Sequence, residues 1–182
     1  MLQTADTAPV PETSPGASSS NVQAADFLAA MRVQATAVNL VTTDGGAGRF
    51  GVTVSAVASV SAEPPLILAC VNRRSPAVAA IKRNGVFCVN ALHAGQAEIA
   101  NVFAGRPSQG TAFDFACADW VPGVTGSPEL AGALASLDCE VYETIDAGTH
   151  TVFIGRVIGA ISRADRPLLY CDRQFVIPTD LS

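Results

Sequence analysis

The sequence is short of the residue types from which most catalytic centres are built. It has two histidines, His93 and His150, and only 15% of its residues are charged. Two imidazoles far apart in the chain do not predict a histidine-built metal centre. The five cysteines (Cys70, Cys88, Cys117, Cys139 and Cys171) are odd in number and never form C-x-x-C. Four of them sit within or beside apolar runs. That pattern predicts buried free thiols in a reducing cytoplasm and argues against a disulfide framework or zinc site. No G-x-S-x-G elbow, H-E-x-x-H helix or P-loop occurs. No apolar run reaches the roughly 18 residues needed to span a bilayer. No basic segment leads into an apolar one near the N-terminus, so neither a membrane span nor a secretory leader is expected. The net charge is −5. With no basic cluster beyond Arg73-Arg74, that balance argues against a nucleic-acid partner.

What is present is apolar bulk. Hydrophobic residues make up 49% of the 182, although aromatics are only 6%. A chain of this length fits one domain with a sizeable core, and a buried subunit interface would account for the apolar surplus. Residues 1–21 are rich in Ala, Pro, Ser and Thr, with no lysine or arginine. Such a composition cannot bury enough surface to offset ordering, so a disordered tail is expected ahead of a folded domain at 22–182.

The densest information lies between Phe50 and Ile81. Val52, Val54, Ala56, Ala58 and Val60 alternate with Thr53, Ser55, Ser59 and Ser61. Period-two alternation predicts one strand, with an apolar face for the core and a hydroxyl face suited to a flat ligand lying close to the backbone. After Pro64-Pro65, the apolar run 66–71 predicts a buried strand that leads into Asn72-Arg73-Arg74-Ser75-Pro76 and a helix over 77–82. Ser75 suits the N-cap and Pro76 the first helical position. Two readings stay open here. One is a phosphate site, because unpaired amides at a helix start attract anions and two arginines stand beside them. The other is an ordinary capped helix with solvated arginines.

Around this stretch the pattern predicts a helix over 22–32, with Phe27, Leu28 and Met31 on one side. A strand over 37–43 follows, joined to the focal strand through the Asp44–Gly48 turn. Further on come a strand at 86–90 and a helix at 94–104. The irregular segment 105–126 holds Phe113, Phe115 and Trp120; it is either a functional lid or a loop stapled to the core by its rings. Ser127-Pro128 predicts a short helical turn. Strands at 137–145 and 149–162 are joined through Asp146-Ala147-Gly148, and a closing strand runs over 168–177. Asp138, Glu140, Glu143 and Asp146 read as solvated carboxylates. His150 reads either as structural or as a ligand contact at the mouth of a barrel. Hairpin-linked strands with few short helices predict a mainly β fold, an antiparallel barrel with helices at its ends. With no catalytic constellation, the surviving chemistry is that of a bound cofactor, such as hydride or electron transfer.

Six blocks then resemble one family: T-V-S-A-V-A-S-V-S (53–61), P-P-L-I-L-A-C-V-N-R-R-S (64–75), N-G-V-F-C-V-N-A-L (84–92), G-Q-A-E-I-A-N-V-F-A-G (95–105), G-T-H-T-V-F-I-G-R-V (148–157) and R-P-L-L-Y (166–170). In order and spacing they resemble the short-chain flavin reductases, the reductase components of two-component flavin-dependent monooxygenases. The resemblance implies a Greek-key split β-barrel of the FMN-binding type, working as a cytoplasmic homodimer. It implies that NADH or NADPH reduces FMN or FAD by direct hydride transfer, and that reduced flavin diffuses to a separate monooxygenase. Thr53, Ser55, Ala56 and Ser59 would then line the flavin ring or ribityl chain, and Asn72, Arg73 and Ser75 would hold its phosphate. Phe103 and Arg106 would border the flavin, while His150, Tyr170 and Arg173 would meet the nicotinamide nucleotide. No acid or base and no metal is implied. The family usually has Asp before the histidine, where this chain has Thr149. Other readings of the same fold are a reductase with tightly bound FMN acting on a non-flavin acceptor, and a non-enzymatic flavin-binding protein.

Overall fold

The computed structural model describes residues 22–179. The tail expected at 1–21 lies outside the described residues. In chain order the elements are α1 (Ala24–Arg32), β1 (Thr36–Ala37), β2 (Asn39–Thr43), β3 (Phe50–Val54), β4 (Val57–Ala62), β5 (Pro65–Asn72), α2 (Pro76–Asn84), β6 (Val86–Ala91) and α3 (Ala97–Phe103). The second half adds β7 (Trp120–Pro122), β8 (Pro128–Leu130), β9 (Ala135–Ala147), β10 (His150–Ser162), β11 (Leu169–Cys171) and β12 (Gln174–Val176).

Turn chemistry sets the pairing. The Asp44–Gly48 turn folds β3 back on β2, and the Gly148 turn folds β10 back on β9. Seven strands form one sheet in the order β3-β2-β6-β9-β10-β5-β4. Every pairing in it is antiparallel, as the hairpin pattern predicts. β3 and β4 lie at opposite edges of this sheet, yet only Ser55 and Ala56 separate them in the chain. Three Cα steps span at most about 11 Å. The sheet therefore has to roll until its two edges come together at that bend, which makes a barrel split along one seam. The Cys70 amide, on β5, donates to the Ala56 carbonyl at 2.9 Å and pins the bend.

Four sequence expectations change. The focal stretch is two strands, not one, because its halves pair with different neighbours. Alternation therefore ends at Val54, and Ala58, Ser59 and Val60 are all exposed. The strand expected at 37–43 breaks at Val38, whose amide donates to the Leu168 carbonyl at 3.0 Å. The closing stretch is a hairpin of β11 and β12, turned by Asp172 and Arg173 at φ 46° and 65°. Ser127-Pro128 opens the short strand β8 instead of a helical turn. Pro128 pairs with Pro122 in a two-stranded ribbon, where proline is tolerated because no further strand needs its missing amide. The thiols also divide: all five are free, but only Cys88 and Cys139 are buried. Burial, reinforced by the charge of Asp138, pushes the Cys139 thiol up to about 12, and the same two causes raise Cys88.

The core has two parts. Val41, Ile67, Val71, Phe87, Val89 and Phe153 fill the barrel, where α2 closes one end with Ala77, Val78 and Ile81. Ser75 caps that helix, Pro76 starts it, and Gly85 ends it in the left-handed conformation at φ 72°. Leu40, Leu92, Ala100, Val102, Phe103 and Leu168 form the second part, between the sheet and α3. Among the described residues, no helix is long and apolar enough to cross a membrane. Among the same residues, no cluster of His, Cys, Asp or Glu has metal-holding geometry.

The barrel interior has no spare room at Gly155. A Cβ there would stand 2.5 Å from Phe87 Cζ and 2.8 Å from Cys139 Cβ. Forcing atoms into a filled core costs roughly 1–3 kcal/mol. Gly155→Ala is expected to lower the free energy of unfolding by about that amount, measured by urea denaturation.

Candidate functional site

Two cavities hold most of the polar residues singled out in the sequence. The first, of about 410 Å³, gathers Thr53 and Ser55 from the end of β3, Asn101 and Arg106 from α3 and its exit, and Tyr170 and Arg173 from the β11–β12 hairpin. Thr53 Oγ1 donates to the Ala100 carbonyl at 2.8 Å, so it fixes α3 against the seam while its strand forms the wall. Ser55 is exposed at the bend itself. The Arg106 amide donates to the Asn101 carbonyl at 2.8 Å, which turns the chain sharply out of α3. Tyr170 packs edge-on against Phe175, with ring centroids 5.6 Å apart, and Phe175 completes that side of the cavity.

Phe103 is not on the cavity surface. It is fully buried, with its ring centroid 4.9 Å from that of Phe115 and 5.7 Å from that of Trp120. It packs in the core at the end of α3 and lines neither cavity. The same cluster answers the question posed by segment 105–126. Trp120 Nε1 donates to the Phe115 carbonyl at 2.8 Å, and both rings lock onto Phe103, so these aromatics staple the segment to the core. Phe113 alone stands exposed.

The second cavity, of about 450 Å³, lies at the start of α2 and is lined by Arg73, Arg74, Ser75, Lys82, Asp146 and Thr151. Its backbone is organised by Asn72, whose Oδ1 accepts from the Arg74 amide at 3.0 Å and whose carbonyl accepts from the Ser75 amide at 2.9 Å. Ser75 Oγ accepts from the Ala77 amide at 3.3 Å. Arg73 reaches across to the β9–β10 turn: its amide donates to the Thr149 carbonyl at 2.9 Å and its Nη1 to the Gly148 carbonyl at 3.3 Å. His150 stands opposite Asn72 in the β10–β5 register. Its Nδ1 lies 2.9 Å from Thr149 Oγ1, so a hydroxyl takes the place of the carboxylate that the resemblance leads one to expect. His150, Ala56, Asn72 and Ser59 line neither cavity. Ala56 is exposed at the β3–β4 bend, His150 is half-buried at the start of β10, and Ser59 is exposed on the edge strand β4.

Sequence reasoning missed Asn101, Phe175, Lys82 and Thr151 as lining residues, and it took Asp146 for a solvated carboxylate. Asn101 and Thr151 lie inside family blocks and Asp146 in a turn signal, but only strand and helix packing brings these residues to a wall. The spacing Gly46, Gly48 and Gly51 matches G-x-G-x-x-G, but it falls in the β2–β3 hairpin between antiparallel strands, with no helix following. It is not a dinucleotide loop.

A hydroxyl-bearing strand end, an aromatic wall and two guanidinium groups suit a flat polar ring. A capped helix start flanked by arginines suits a phosphate. A flavin mononucleotide carries both chemistries, a flat polar ring and a phosphate. Comparison with known proteins agrees: residues 31–178 match the model of the flavin reductase like domain, and the chain belongs to that family. It is 39% identical over 175 residues to the protein named FMN reductase (NADH) RutF of Ancylobacter novellus, covering 94% of each chain. Among solved structures it is similar to the Streptomyces globisporus C-1027 NADH:FAD oxidoreductase SgcE6 in complex with NAD and FAD fragments, with TM-score 0.75, 33% identity, and coverage of 85% of this chain and 94% of that one. It is also similar to BorF, the flavin reductase component of a bacterial two-component tryptophan halogenase, with TM-score 0.77, 31% identity, and coverage of 87% of this chain and all of the other.

Behind the aromatic wall, the β7–β8 ribbon is tied to the sheet by buried polar groups. Asn90 Oδ1 accepts from the Leu130 amide at 2.8 Å, and Asn90 Nδ2 donates to the Pro128 carbonyl at 3.4 Å. Asp138 accepts from the Thr125 amide and hydroxyl at 2.6 and 2.7 Å. Glu129, 7% exposed, shares this region: a Cβ on Gly123 would meet both Asp138 Oδ2 and Glu129 Oε1 within 3.0 Å. Burial, and then the charge of Asp138, raises the Glu129 carboxyl above the ordinary carboxylate range. The folded chain therefore holds this proton more tightly than the unfolded chain. The linked stability is fully present below the unfolded carboxylate pKa of about 4.3, and it is lost as pH rises through the raised folded value. Glu129→Gln is expected to increase stability at neutral pH and to flatten this part of the pH dependence, measured by denaturant titration between pH 4 and 8.

Proposed function

We propose that this chain is an NADH-dependent FMN reductase that releases reduced flavin to a separate flavin-dependent oxygenase. The observation that carries the reading is the seam, where the hydroxyl-bearing end of β3 and the arginine-flanked start of α2 face the same rolled edge of the sheet. Membership of the flavin reductase family and the names of its relatives support it. That BorF is the reductase component of a two-component halogenase supports a separate oxygenase-type partner reached through diffusing flavin.

Thr53, Ser55 and Ala56 hold the flavin ring and ribityl chain, and Arg106 borders them. Asn72, Arg73 and Ser75 hold the phosphate, and Tyr170, Arg173 and His150 take the nicotinamide nucleotide. The flavin, when bound, supplies the hydride-accepting chemistry. The protein's part is positioning: the seam backbone presents one ring face, the β11–β12 hairpin brings the other substrate against it, and the walls exclude water. No side chain needs to move a proton in this scheme. Thr149 sets the orientation of His150 through Nδ1.

The second copy of a homodimer covers the apolar outer face. Tyr142, Ile145, Ile158, Ile161 and Val60 are exposed on the outside of β9, β10 and β4, and α1 buries none of its residues while Phe27, Leu28 and Met31 face outward. Apolar surface of that extent on a single chain marks an interface. Five free thiols suit a reducing cytoplasm.

Purified protein is expected to oxidise NADH only when flavin is added, with FMN preferred over FAD, followed by loss of nicotinamide absorbance. Oxidation by a yellow protein without added flavin would replace this reading with a tightly bound cofactor and a different acceptor. Flavin binding without oxidation would remove the enzyme. Light scattering is expected to return twice the mass of one chain, and a single-chain mass overturns the homodimer.

A further inference from the structure

The second cavity is cationic at both ends, but unevenly so. At the helix start stand Arg73, Arg74 and the Ser75 cap. Seven residues further along α2, about 10 Å at 1.5 Å per residue, stands Lys82. The far cation is ion-paired within the cavity wall: Lys82 Nζ lies 3.0 Å from Asp146 Oδ1. Arg73, whose Nη1 donates to the Gly148 carbonyl on the adjoining turn, acts on the same carboxylate through its charge alone. Thr151 Oγ1 donates to the same oxygen at 2.6 Å. Asp146 and Thr151 face each other in the β9–β10 register, so the carboxylate is carried on paired strands and not on a free loop. The hydrogen bond from Thr151, then that from Lys82, hold the Asp146 carboxyl below the ordinary carboxylate range. At neutral pH the carboxylate carries its charge.

We propose that Asp146 is a specificity residue that makes the anion site select a single phosphate group over a diphosphate. The inference rests on the assignment of the flavin phosphate to Asn72, Arg73 and Ser75. A mononucleotide places one phosphate at the helix start and needs nothing from the far end. A dinucleotide carries a second phosphate and extends its negative charge along the cavity. There it meets a carboxylate already paired with Lys82, so the available cation is spent and a like charge opposes the ligand. Monophosphate selection then comes from an acidic residue inside a basic pocket, a case of rejection by like charge.

Asp146→Asn keeps an oxygen to accept from Thr151, removes the negative charge and frees Lys82. In titrations followed by flavin fluorescence at low salt, the variant is expected to shift the FAD-to-FMN affinity ratio about two- to fivefold toward FAD, the range that exposed ion pairs support. The shift should fade at high ionic strength. Adding Lys82→Met to the variant should return the ratio to that of the parent protein. An unchanged ratio overturns the proposal, as does equal tightening of FMN and FAD. Riboflavin, which lacks the phosphate, separates this from the underlying assignment. If the parent protein binds riboflavin as tightly as FMN, the phosphate site at the start of α2 falls, whatever Asp146→Asn does.

Discussion

Two residues, Ser55 and Ala56, connect strands at opposite edges of a seven-stranded sheet, and that short connection forces the sheet to roll. Much of the rest follows from the rolled geometry. With the edges together, the Cys70 amide reaches the Ala56 carbonyl, the start of α2 comes to the same side as the end of β3, and α2 plugs the interior with one apolar face. A flat sheet with the same strands would leave these groups on opposite margins. The site is thus a consequence of closure.

Closure also sets severe limits on volume. Glycine stands at Gly155 because Phe87 and Cys139 occupy the space its side chain would need, and at Gly51 because a Cβ would lie 2.6 Å from the Phe103 ring. Phe103 in turn carries Phe115 and Trp120, so the segment that borders the first cavity is held by a chain of contacts running from the barrel wall outward. Asn90 completes that support from the polar side, since one buried amide bonds three elements at once. Buried polar groups satisfied in this way specify one arrangement of the strands around them.

Charge is distributed sparingly and with direction. The chain is acidic overall, yet Arg73, Arg74 and Lys82 collect along one cavity. The internal carboxylates divide by environment. Asp146, bonded to Thr151 and Lys82, favours its charged form, while Glu129, buried beside Asp138, disfavours its own. Local partners decide the sign in each case, not the residue type.

The sequence by itself determined the mainly β class, the hairpins at Asp44–Gly48 and Asp146–Gly148, and the capped helix after Arg74, because turns and caps are local chemistry read over a few residues. Thr53, Ser55, Arg73, Ser75 and Tyr170 lie within its six family blocks and Arg106 and Arg173 just beyond them, and all seven line the two cavities. Only the tertiary structure decided that the focal stretch divides at Ser55, that Phe103 faces the core, and that Lys82, Asp146 and Thr151 meet. The break at Ser55 depends on which strands lie beside each half, and nothing within the stretch encodes its neighbours. Asp146 and Lys82 are 64 positions apart and meet because β9 and α2 pack at the same end of the barrel. Contacts of that range are set by how the sheet closes, and closure is a property of the whole chain.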